Sequence, residues 1–432
     1  MAKSPVDPRT WTKPGKARYE SAGLAKWLLT PETFQMIGVP WQRPSLPSGL
    51  GCCHVLVVNK QTKETPFLRP AFILPLQWKK DAAGHQPHLP KGLVAVAENV
   101  KAHLKQNLGK QAAEDFDAWT LHFSVKNAPN LSELSPDEDS WSSAWISLFA
   151  GLWLAIKGLL PNPQVFATGA WQDGLQPITG LDAKAAVAQE FGASRLFYSE
   201  GSQPTDFPNT FQSTDGSCVL QSISRTESFK AAECLKYLLS AMAHEPDSTA
   251  SDTELDAYYQ VRFQANKDSA REFYCRVLSP RIAEKNQNSA VRNASLGTLI
   301  TWVSNGWELI YNDLLLIKPK LLIVLTNRDF DLTNKAISDI DDWCKTLQVP
   351  WIHLHFDGNL EPTFLFEELC NRLRELSLPK PWHIDITLGT VTMSLALYRF
   401  SEEAVSYYYW NKEMKQHSVI PSTSRLLSVP AR

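Results

Sequence analysis

The spacing of hydrophobic residues predicts alternating strands and helices between residues 50 and 200. Apolar residues that alternate with polar ones indicate strands, and apolar residues three or four positions apart indicate helices. The strands predicted in this way are Cys52–Asn59, Arg69–Gln77, Asp117–Val125, Val165–Gly169 and Arg195–Tyr198. The predicted helices are Gly92–Leu108, Ser143–Leu160 and Ala183–Phe191. We therefore expect an α+β domain over residues 51–203.

The pattern is weaker on both sides of this region. Residues 1–50 are rich in Pro, Trp and Lys, and we expect an irregular arm with one short helix near Ser21–Leu29. Small and polar residues dominate Gly201–Ser217, which predicts a linker. Helices are predicted at Ser228–Ala243, Thr253–Leu278 and Ser295–Ile317. Residues 204–317 are thus expected to form a linker and a helical connector.

A second alternation of strands and helices begins at Lys318. The predicted strands are Leu321–Leu325, Trp351–Phe356, His383–Thr387 and Val405–Trp410, and the predicted helices are Leu332–Leu347, Thr363–Leu376 and Thr392–Phe400. Strands that alternate with helices predict βαβ units and a mostly parallel sheet. The predicted fold class is therefore α/β, with a parallel-sheet domain over residues 318–432.

Composition and charge argue against several classes of protein. The formal net charge is −2, so a surface that coats nucleic acid is not expected, and we expect no direct DNA binding. Seven cysteines without a Cys-x-x-Cys motif predict buried thiols in a reducing cytoplasm. No signal peptide is recognisable, and the longest apolar run, Ile146–Leu160, is too short to span a bilayer. We therefore expect a cytoplasmic protein without membrane association.

Common nucleotide-binding and hydrolase motifs are absent from the sequence. It contains no phosphate loop, no dinucleotide-binding glycine motif, no His-Glu-x-x-His and no Gly-x-Ser-x-Gly. The ten histidines do not cluster at ligand spacing, and His353 and His355 are interpreted as ordinary strand residues. We expect neither a metal nor a cofactor.

A serine-rich segment, Asp139–Trp145, precedes the predicted apolar helix. One interpretation of Ser143 is an N-cap, because a serine hydroxyl accepts a backbone N–H of the first helical turn. Three later segments favour a catalytic role instead. They are Ala167–Gly169, which contains Thr168; Pro177–Lys184, which leads into an Ala-rich helix; and Gly192–Tyr198.

Together these segments resemble the proteolytic domain of the Lon family over residues 50–200. In that family Gly-Pro-Ser-Ala-Gly carries the nucleophile and starts a long apolar helix, a Thr-Gly-Glu strand follows, and Pro-hydrophobic-Gly-Gly-Leu-x-x-Lys carries a catalytic lysine. The resemblance implies that Ser143 is the nucleophile, Lys184 its general base and Thr168 the threonine of the Thr-Gly pair. A buried lysine can act as a base because an apolar environment disfavours its ammonium form. N–H groups at the helix start are expected to stabilise an oxyanion.

Several positions depart from the Lon pattern. Trp141, Ser142 and Trp145 replace a glycine, a proline and a glycine, and the two indoles are expected to narrow the cleft or to hold it closed. Ala170 replaces the glutamate after Thr-Gly, and Thr179 replaces the first glycine before the lysine. No ATPase module is recognisable. Two interpretations stay open: an ATP-independent protease that cuts a chosen partner, and a Lon-like domain that binds without proteolysis.

Small polar residues follow two of the C-terminal strands. Thr326, Asn327 and Arg328 follow the first strand, and residues 387–392 join a later strand to its helix. The simpler interpretation is that they are turn residues of a βαβ domain. The functional interpretation is a ligand site, because ligands bind beyond the carboxyl ends of parallel strands and small residues let backbone N–H groups approach a phosphate.

The segment Asp385–Ser394 resembles the CARF domain, the CRISPR-associated Rossmann fold, whose members carry Asp-hydrophobic-Thr-Gly-Gly-Thr-Lys-x-Met-Ser at this turn. CARF domains bind cyclic oligoadenylate across a two-fold dimer. The resemblance implies a Rossmann-like sensor domain over residues 318–432. Its implied ligand contacts are Thr326, Asn327, Arg328, Thr387, Gly389, Thr390 and Thr392. Leu388 replaces a glycine and Val391 replaces the lysine, so either Arg328 or Lys335 takes the place of the missing phosphate partner or the ligand is recognised differently. A related sensor, the SAVED domain, has two such units, and only one is recognisable here.

The two resemblances together imply an ancillary effector of type III CRISPR antiviral defence. It would be an ATP-independent Ser/Lys protease with cyclic oligoadenylate as its allosteric activator, the ring size being open. The expected partners are a protein substrate encoded by a neighbouring gene and further copies of the chain, in a homodimer or a ligand-induced oligomer. The alternative is a non-proteolytic regulatory protein of Lon fold that responds to a nucleotide second messenger.

Overall fold

A computed structural model shows a mixed α/β protein with two compact units, Met1–Ala250 and Ser251–Arg432. It describes residues 25–36, 38, 40–59, 68–80, 84–85, 89–108, 115–125, 138–202, 210–213, 216–223, 228–286, 297–327, 333–357, 361–400, 404–411, 414–415, 418–419, 421 and 424–429. The predicted boundaries after residues 203 and 317 do not coincide with the division at Ala250.

The first unit contains nine strands and six α-helices within its described residues. The strands are β1 (Cys52–Val58), β2 (Ala71–Lys80), β3 (Trp119–Phe123), β4 (Val165–Thr168), β5 (Ala170–Trp171), β6 (Leu175–Gln176), β7 (Arg195–Ser199), β8 (Thr210–Ser213) and β9 (Gly216–Ile223). The helices are α1 (Ala25–Leu28), α2 (Pro31–Met36), α3 (Lys91–Leu108), α4 (Trp145–Ile156), α5 (Leu181–Glu190) and α6 (Ser228–Met242), with 3-10 turns at Phe116–Ala118 and Glu138–Ala144.

Two sheets and an apolar helix form the core of this unit. Strands β1, β2 and β3 pair antiparallel, and the second sheet has the order β4-β7-β9-β8 with β4, β7 and β9 parallel. Ten of the twelve residues of α4 are buried, because that helix packs against β1, β2 and β4. Strands β5 and β6 form a short hairpin directly after β4.

The prediction of a linker over Gly201–Ser217 is wrong for the second half of that segment. Strand β8 and the start of β9 lie within it, and β9 pairs in parallel with β7. The sequence of these strands is polar and rich in Ser and Gln, so composition alone suggested a loop. Pairing with an existing sheet supplies the hydrogen bonds that this polar backbone needs. In the N-terminal arm, α1 overlaps the predicted short helix, whose first residues lie outside the described ones.

The second unit is built around a six-stranded sheet with the order β12-β11-β10-β13-β14-β17. Its strands are β10 (Thr298–Trp302), β11 (Leu321–Asn327), β12 (Trp351–Phe356), β13 (Trp382–Asp385), β14 (Ala404–Asn411), β15 (Met414–Lys415), β16 (Ser418–Val419) and β17 (Ser424–Val429). Its helices are α7 (Asp252–Ala265), α8 (Lys267–Phe273), α9 (Ser279–Lys285), α10 (Glu308–Ile317), α11 (Thr333–Leu347), α12 (Pro362–Glu375) and α13 (Val391–Phe400), with a π-helical turn at Tyr274–Leu278. Within the six-stranded sheet, all neighbouring strands are parallel except β14 and β17. Strands β15 and β16 form a separate antiparallel pair.

The helix predicted over Ser295–Ile317 is wrong in its first half. Strand β10 occupies Thr298–Trp302 and pairs with both β11 and β13, and the helix begins only at Glu308. All five residues of β10 are buried, and a strand buried on both faces is a continuous apolar run that resembles a buried helix. The helix predicted over Thr253–Leu278 is also interrupted, at Asn266, whose side chain caps α8.

The chain crosses the sheet between β12 and β13. Strands β11 and β12 extend the sheet on one side of β10, and β13 and β14 extend it on the other. The carboxyl ends of β10 and β13 therefore flank the point where the strand order reverses, which is where open α/β sheets leave a crevice for ligands. Among the helices that the structure describes, none is long and apolar enough to cross a membrane.

Candidate active site and ligand edge

Ser143 lies in the 3-10 turn Glu138–Ala144 that leads into α4. Ala144 is the N-cap of α4, and no side chain caps that helix. The interpretation of Ser143 as an N-cap is therefore wrong. The hydroxyl of Ser143 is instead hydrogen bonded to the side chain of Lys184.

Lys184 reaches Ser143 from the first turn of α5. The helix begins after Gly180, whose φ of +64° is a conformation that other residues rarely adopt. A Cβ atom on Gly180 would also lie 2.7 Å from Val58 Cγ2, so the close approach requires glycine. The Nζ atom of Lys184 lies 2.7 Å from Ser143 Oγ and 3.0 Å from Thr168 Oγ1. Ser143 and Lys184 of the predicted dyad therefore meet at one place, together with Thr168.

Burial lowers the pKa of Lys184 from 10.5 to about 7. Only 2% of the residue is exposed, and desolvation disfavours its charged form. Near pH 7 a large fraction of Lys184 is therefore neutral, with a lone pair that can accept the proton of Ser143. This arrangement is chemically competent as a nucleophile and a general base.

Thr168 and Gly169 fix the backbone at Ser143. Thr168 is fully buried, and its hydroxyl lies 3.4 Å from the carbonyl oxygen of Ser143. The Gly169 N–H donates to the same carbonyl at 2.9 Å, and the Ile146 N–H donates to the Gly169 carbonyl at 3.2 Å. The expectation that N–H groups of the first helical turn are free for an oxyanion is therefore wrong for Ile146.

Trp141 and Trp145 are buried in the core beside the nucleophile. They are 2% and 1% exposed, respectively. The ring of Trp145 stacks on Phe149 and on Trp171, with centroids 5.0 and 4.8 Å apart. Ser143 itself is only 8% exposed. Trp145 thus belongs to an aromatic cluster, and both indoles and Ser143 are buried.

The predicted ligand residues of the second unit lie at the carboxyl edge of its sheet. Thr326 and Asn327 end β11, and the other described members belong to the loop after β13 or to α13: Thr387, Gly389, Thr390 and Thr392. Arg328 lies outside the described residues. Strand β10 lies between β11 and β13. The residues at the end of β11 and those after β13 therefore lie on opposite sides of β10 along this edge.

Thr326 is buried in a small hydrogen-bond network with two histidines. Its hydroxyl lies 2.8 Å from His353 Nε2 and 3.0 Å from His355 Nδ1. Burial lowers the pKa of His353 to about 4, so this imidazole is neutral near pH 7. Sequence reasoning missed this network because it depends on the register that pairs Thr326 with His355.

The turn after β13 is held by side chains at both ends. Asp385 is buried, which raises the pKa of its carboxyl, and its Oδ1 accepts the Thr387 N–H at 2.8 Å. Gly389 has a φ of +101°, and the hydroxyl of Thr390 accepts the Met393 N–H at 3.3 Å. These contacts place a preformed loop at the N-terminus of α13.

A further loop at this edge was missed because β10 was predicted as helix. Residues 303–306 follow β10 at the point where the strand order reverses. The buried guanidinium of Arg271 donates to the Asn305 carbonyl at 3.3 Å and pairs with Glu308 at 3.1 Å, which fixes the loop. The sequence Ser-Asn-Gly at 304–306 is a turn signal that could have identified the loop.

No protein-family model matches this sequence, and no curated protein matches it. Within the part of the chain that the structure describes, no group of three or more His, Cys, Asp or Glu side chains is arranged to hold a metal ion.

Proposed function

We propose that the first unit is an ATP-independent serine endopeptidase of Lon type with Ser143 and Lys184 as its catalytic dyad. One observation carries the proposal: Lys184 Nζ lies 2.7 Å from Ser143 Oγ, and burial brings the pKa of this lysine to about 7. A buried lysine is costly for folding, so its presence next to a serine hydroxyl favours a chemical role over a structural one.

The chemistry follows from these contacts. Neutral Lys184 accepts the proton of Ser143 while Oγ attacks the carbonyl carbon of the scissile bond. The resulting ammonium then donates a proton to the leaving amine, and an acyl-enzyme remains on Ser143. Lys184 next takes a proton from the water that attacks the ester, and it returns this proton to Ser143 Oγ as the second product leaves. Thr168 accepts a hydrogen bond from Nζ and thereby orients the lone pair of Lys184 toward Ser143.

The second unit is proposed to be a Rossmann-like sensor for cyclic oligoadenylate. Its five parallel strands, numbered in chain order, lie in the sequence 3-2-1-4-5, which is the order of dinucleotide-binding α/β folds. The loop over Thr387–Thr390 and the N-terminus of α13 are the proposed phosphate site, at which the N–H groups of Thr387 and Met393 already donate to Asp385 and Thr390. Asn327 and Thr392, both half-buried, are further proposed contacts, and a dimer of the chain would present two such edges to one ring.

The combination is proposed to act as an ancillary effector of type III CRISPR defence in the cytoplasm. Cyclic oligoadenylate would activate the protease, which would then cut a partner encoded nearby. One observation favours the alternative of a binding protein without proteolysis: Ser143 is only 8% exposed, so a substrate needs a rearrangement to reach it. Activation by ligand is a way to provide that rearrangement.

The test uses the full chain, each protein encoded beside its gene, and rings of three to six adenylates. Cleavage of one partner, only with one ring size and not by Ser143→Ala, is the expected result. Ser142→Ala is a matched control, because Ser142 is the exposed neighbour of the nucleophile. Ligand binding without cleavage of any partner would favour the binding protein.

A further inference from the structure

Two serine side chains bind the segment that connects β6 to α5. The hydroxyl of Ser199 donates to the Gln176 carbonyl. The Ile178 N–H donates to the hydroxyl of Ser202 at 2.8 Å. Ser202 Oγ in turn donates to the Ser199 carbonyl at 2.7 Å. The two serines are 0% and 4% exposed, so water does not compete for these bonds.

The two serines bind the Gln176 carbonyl and the Ile178 N–H, which are the two backbone groups that one residue of a parallel strand would bind. In an extended chain the carbonyl of one residue and the N–H of the second residue after it point to the same side. Gln176 and Ile178 have this relation, and two hydroxyl groups replace the partner strand. The two hydroxyl groups therefore bind two adjacent backbone groups of this segment, whose residue Gln176 also belongs to β6 of the short hairpin with β5.

Ser199 also touches the strand that carries Thr168. Its Oγ lies 3.3 Å from the position that a Cβ atom on Gly169 would occupy, and Gly169 follows Thr168 directly. On the other side, Gly180 lies two residues after Ile178, and its carbonyl accepts the Lys184 N–H at 3.1 Å. The Ser199 hydroxyl thus lies between the segment that follows Thr168 and the segment that leads to Lys184.

We infer that Ser199 and Ser202 are positioning residues that set the placement of Lys184 against Ser143 and Thr168. The inference rests on the proposed function, because it concerns the geometry of the same dyad. Without the two hydroxyls, the Gln176 carbonyl and the Ile178 N–H need water, which enters beside the start of α5. Better hydration favours the ammonium form of Lys184 and weakens it as a base at neutral pH.

The test compares Ser199→Ala and Ser202→Ala with Ser194→Ala. Ser194 is the matched control, because its hydroxyl also donates to a backbone carbonyl, that of Gln164, at an exposed site outside this cluster. In Ser199→Ala and in Ser202→Ala, the two clasp variants, we expect kcat to fall about tenfold at pH 7, KM to stay within about twofold, and the apparent pKa of the rate profile to rise. Ser194→Ala should keep the kcat and the pKa of the unaltered chain.

A second measurement does not need a substrate. The Cε chemical shift of Lys184 in ¹³C-lysine-labelled protein reports its protonation directly. A higher Lys184 pKa in both clasp variants, at an unchanged far-ultraviolet circular dichroism spectrum, would support the inference. An unchanged pKa would overturn it, as would loss of folding in both variants, since the serines would then be structural. A pKa near 10.5 in the unaltered protein would instead count against the proposed function itself.

Discussion

The Nζ atom of Lys184 lies 2.7 Å from the Oγ atom of Ser143, although the two residues are 41 positions apart in the chain. Each side chain comes from the beginning of a helix, and strand β4 with Thr168 lies between them in sequence. The contact is fully inside the first unit, and only 2% of Lys184 is exposed. The buried lysine therefore has a hydroxyl group on either side and a pKa that suits a base.

Cleavage should depend on pH through the protonation of Lys184. Because burial lowers its pKa to about 7, the rate should increase about tenfold per pH unit below that value and level off above about pH 8. A pH–rate profile of kcat/KM on the natural partner measures this dependence. A profile that is flat between about pH 6 and about pH 8 would be incompatible with a lysine base of this pKa.

The same lysine should reduce the stability of the fold at neutral pH. The folded pKa of about 7 lies below the unfolded value of 10.5, so between these values the unfolded chain binds more protons. The free energy of unfolding should therefore rise with pH in this window, with a slope approaching about 1.4 kcal/mol per pH unit from this group. Lys184→Met should lack that contribution.

Urea unfolding of both proteins between pH 7 and pH 10 measures the difference. We expect Lys184→Met to gain most, relative to the unaltered chain, at or below pH 7 and least near pH 10. Other titrating groups are common to both proteins and cancel in the comparison. A constant difference across this range would show that Lys184 titrates normally in the folded protein.

Thr168 should contribute to catalysis through its hydroxyl group. Thr168→Val keeps the shape of the side chain but removes the hydrogen bond to Lys184 Nζ at 3.0 Å. Loss of a buried hydrogen bond costs about 1–3 kcal/mol, which corresponds to a decrease of roughly 5- to 150-fold in kcat/KM. Thr168→Ser, which keeps the hydroxyl, should lose much less. Equal activity of the two variants would mean that only the packing of this side chain matters.

The turn before α13 should control ligand binding in the second unit. In Gly389→Ala the new Cβ would lie 3.1 Å from Met393 Cβ at a φ of +101°, so the turn must shift. We expect cyclic oligoadenylate to bind at least tenfold more weakly, as measured by calorimetry. Val391→Lys is the opposite test, because Val391 is 77% exposed and a lysine there can reach a phosphate without loss of packing. Tighter binding by Val391→Lys and weaker binding by Gly389→Ala together would support the ligand edge, and unchanged binding in both would contradict it.

The sequence was most informative where the periodic hydrophobic residues and the candidate catalytic residues lie in the same short segments. That Ser143, Thr168 and Lys184 meet was predicted from the resemblance of their segments to the Lon family, and each of these residues lies next to a strongly periodic helix or strand. Strand β10 was missed because five buried residues in a row do not distinguish a central strand from a helix. Its location became clear only through pairing with β11 and β13.

Contacts that depend on register or on side-chain packing could not be predicted. The bonds from Thr326 to His353 and His355 need the pairing of β11 with β12, which no single segment encodes. Likewise, no single segment of the sequence indicates that Trp145 stacks on Trp171. Serines are common in turns, so nothing in the sequence singled out Ser199 and Ser202.

Covalent labelling of Ser143 tests the central claim most directly, because it needs no knowledge of the partner protein. The full chain is treated with a fluorophosphonate at pH 8, with and without rings of three to six adenylates, and the modified residue is located by peptide mass spectrometry. We predict a phosphonyl adduct on Ser143 that increases with one ring size, is retained in Ser142→Ala and is lost in Lys184→Met. An unlabelled Ser143 under all these conditions, or equal labelling in Lys184→Met, would contradict a Ser143–Lys184 dyad.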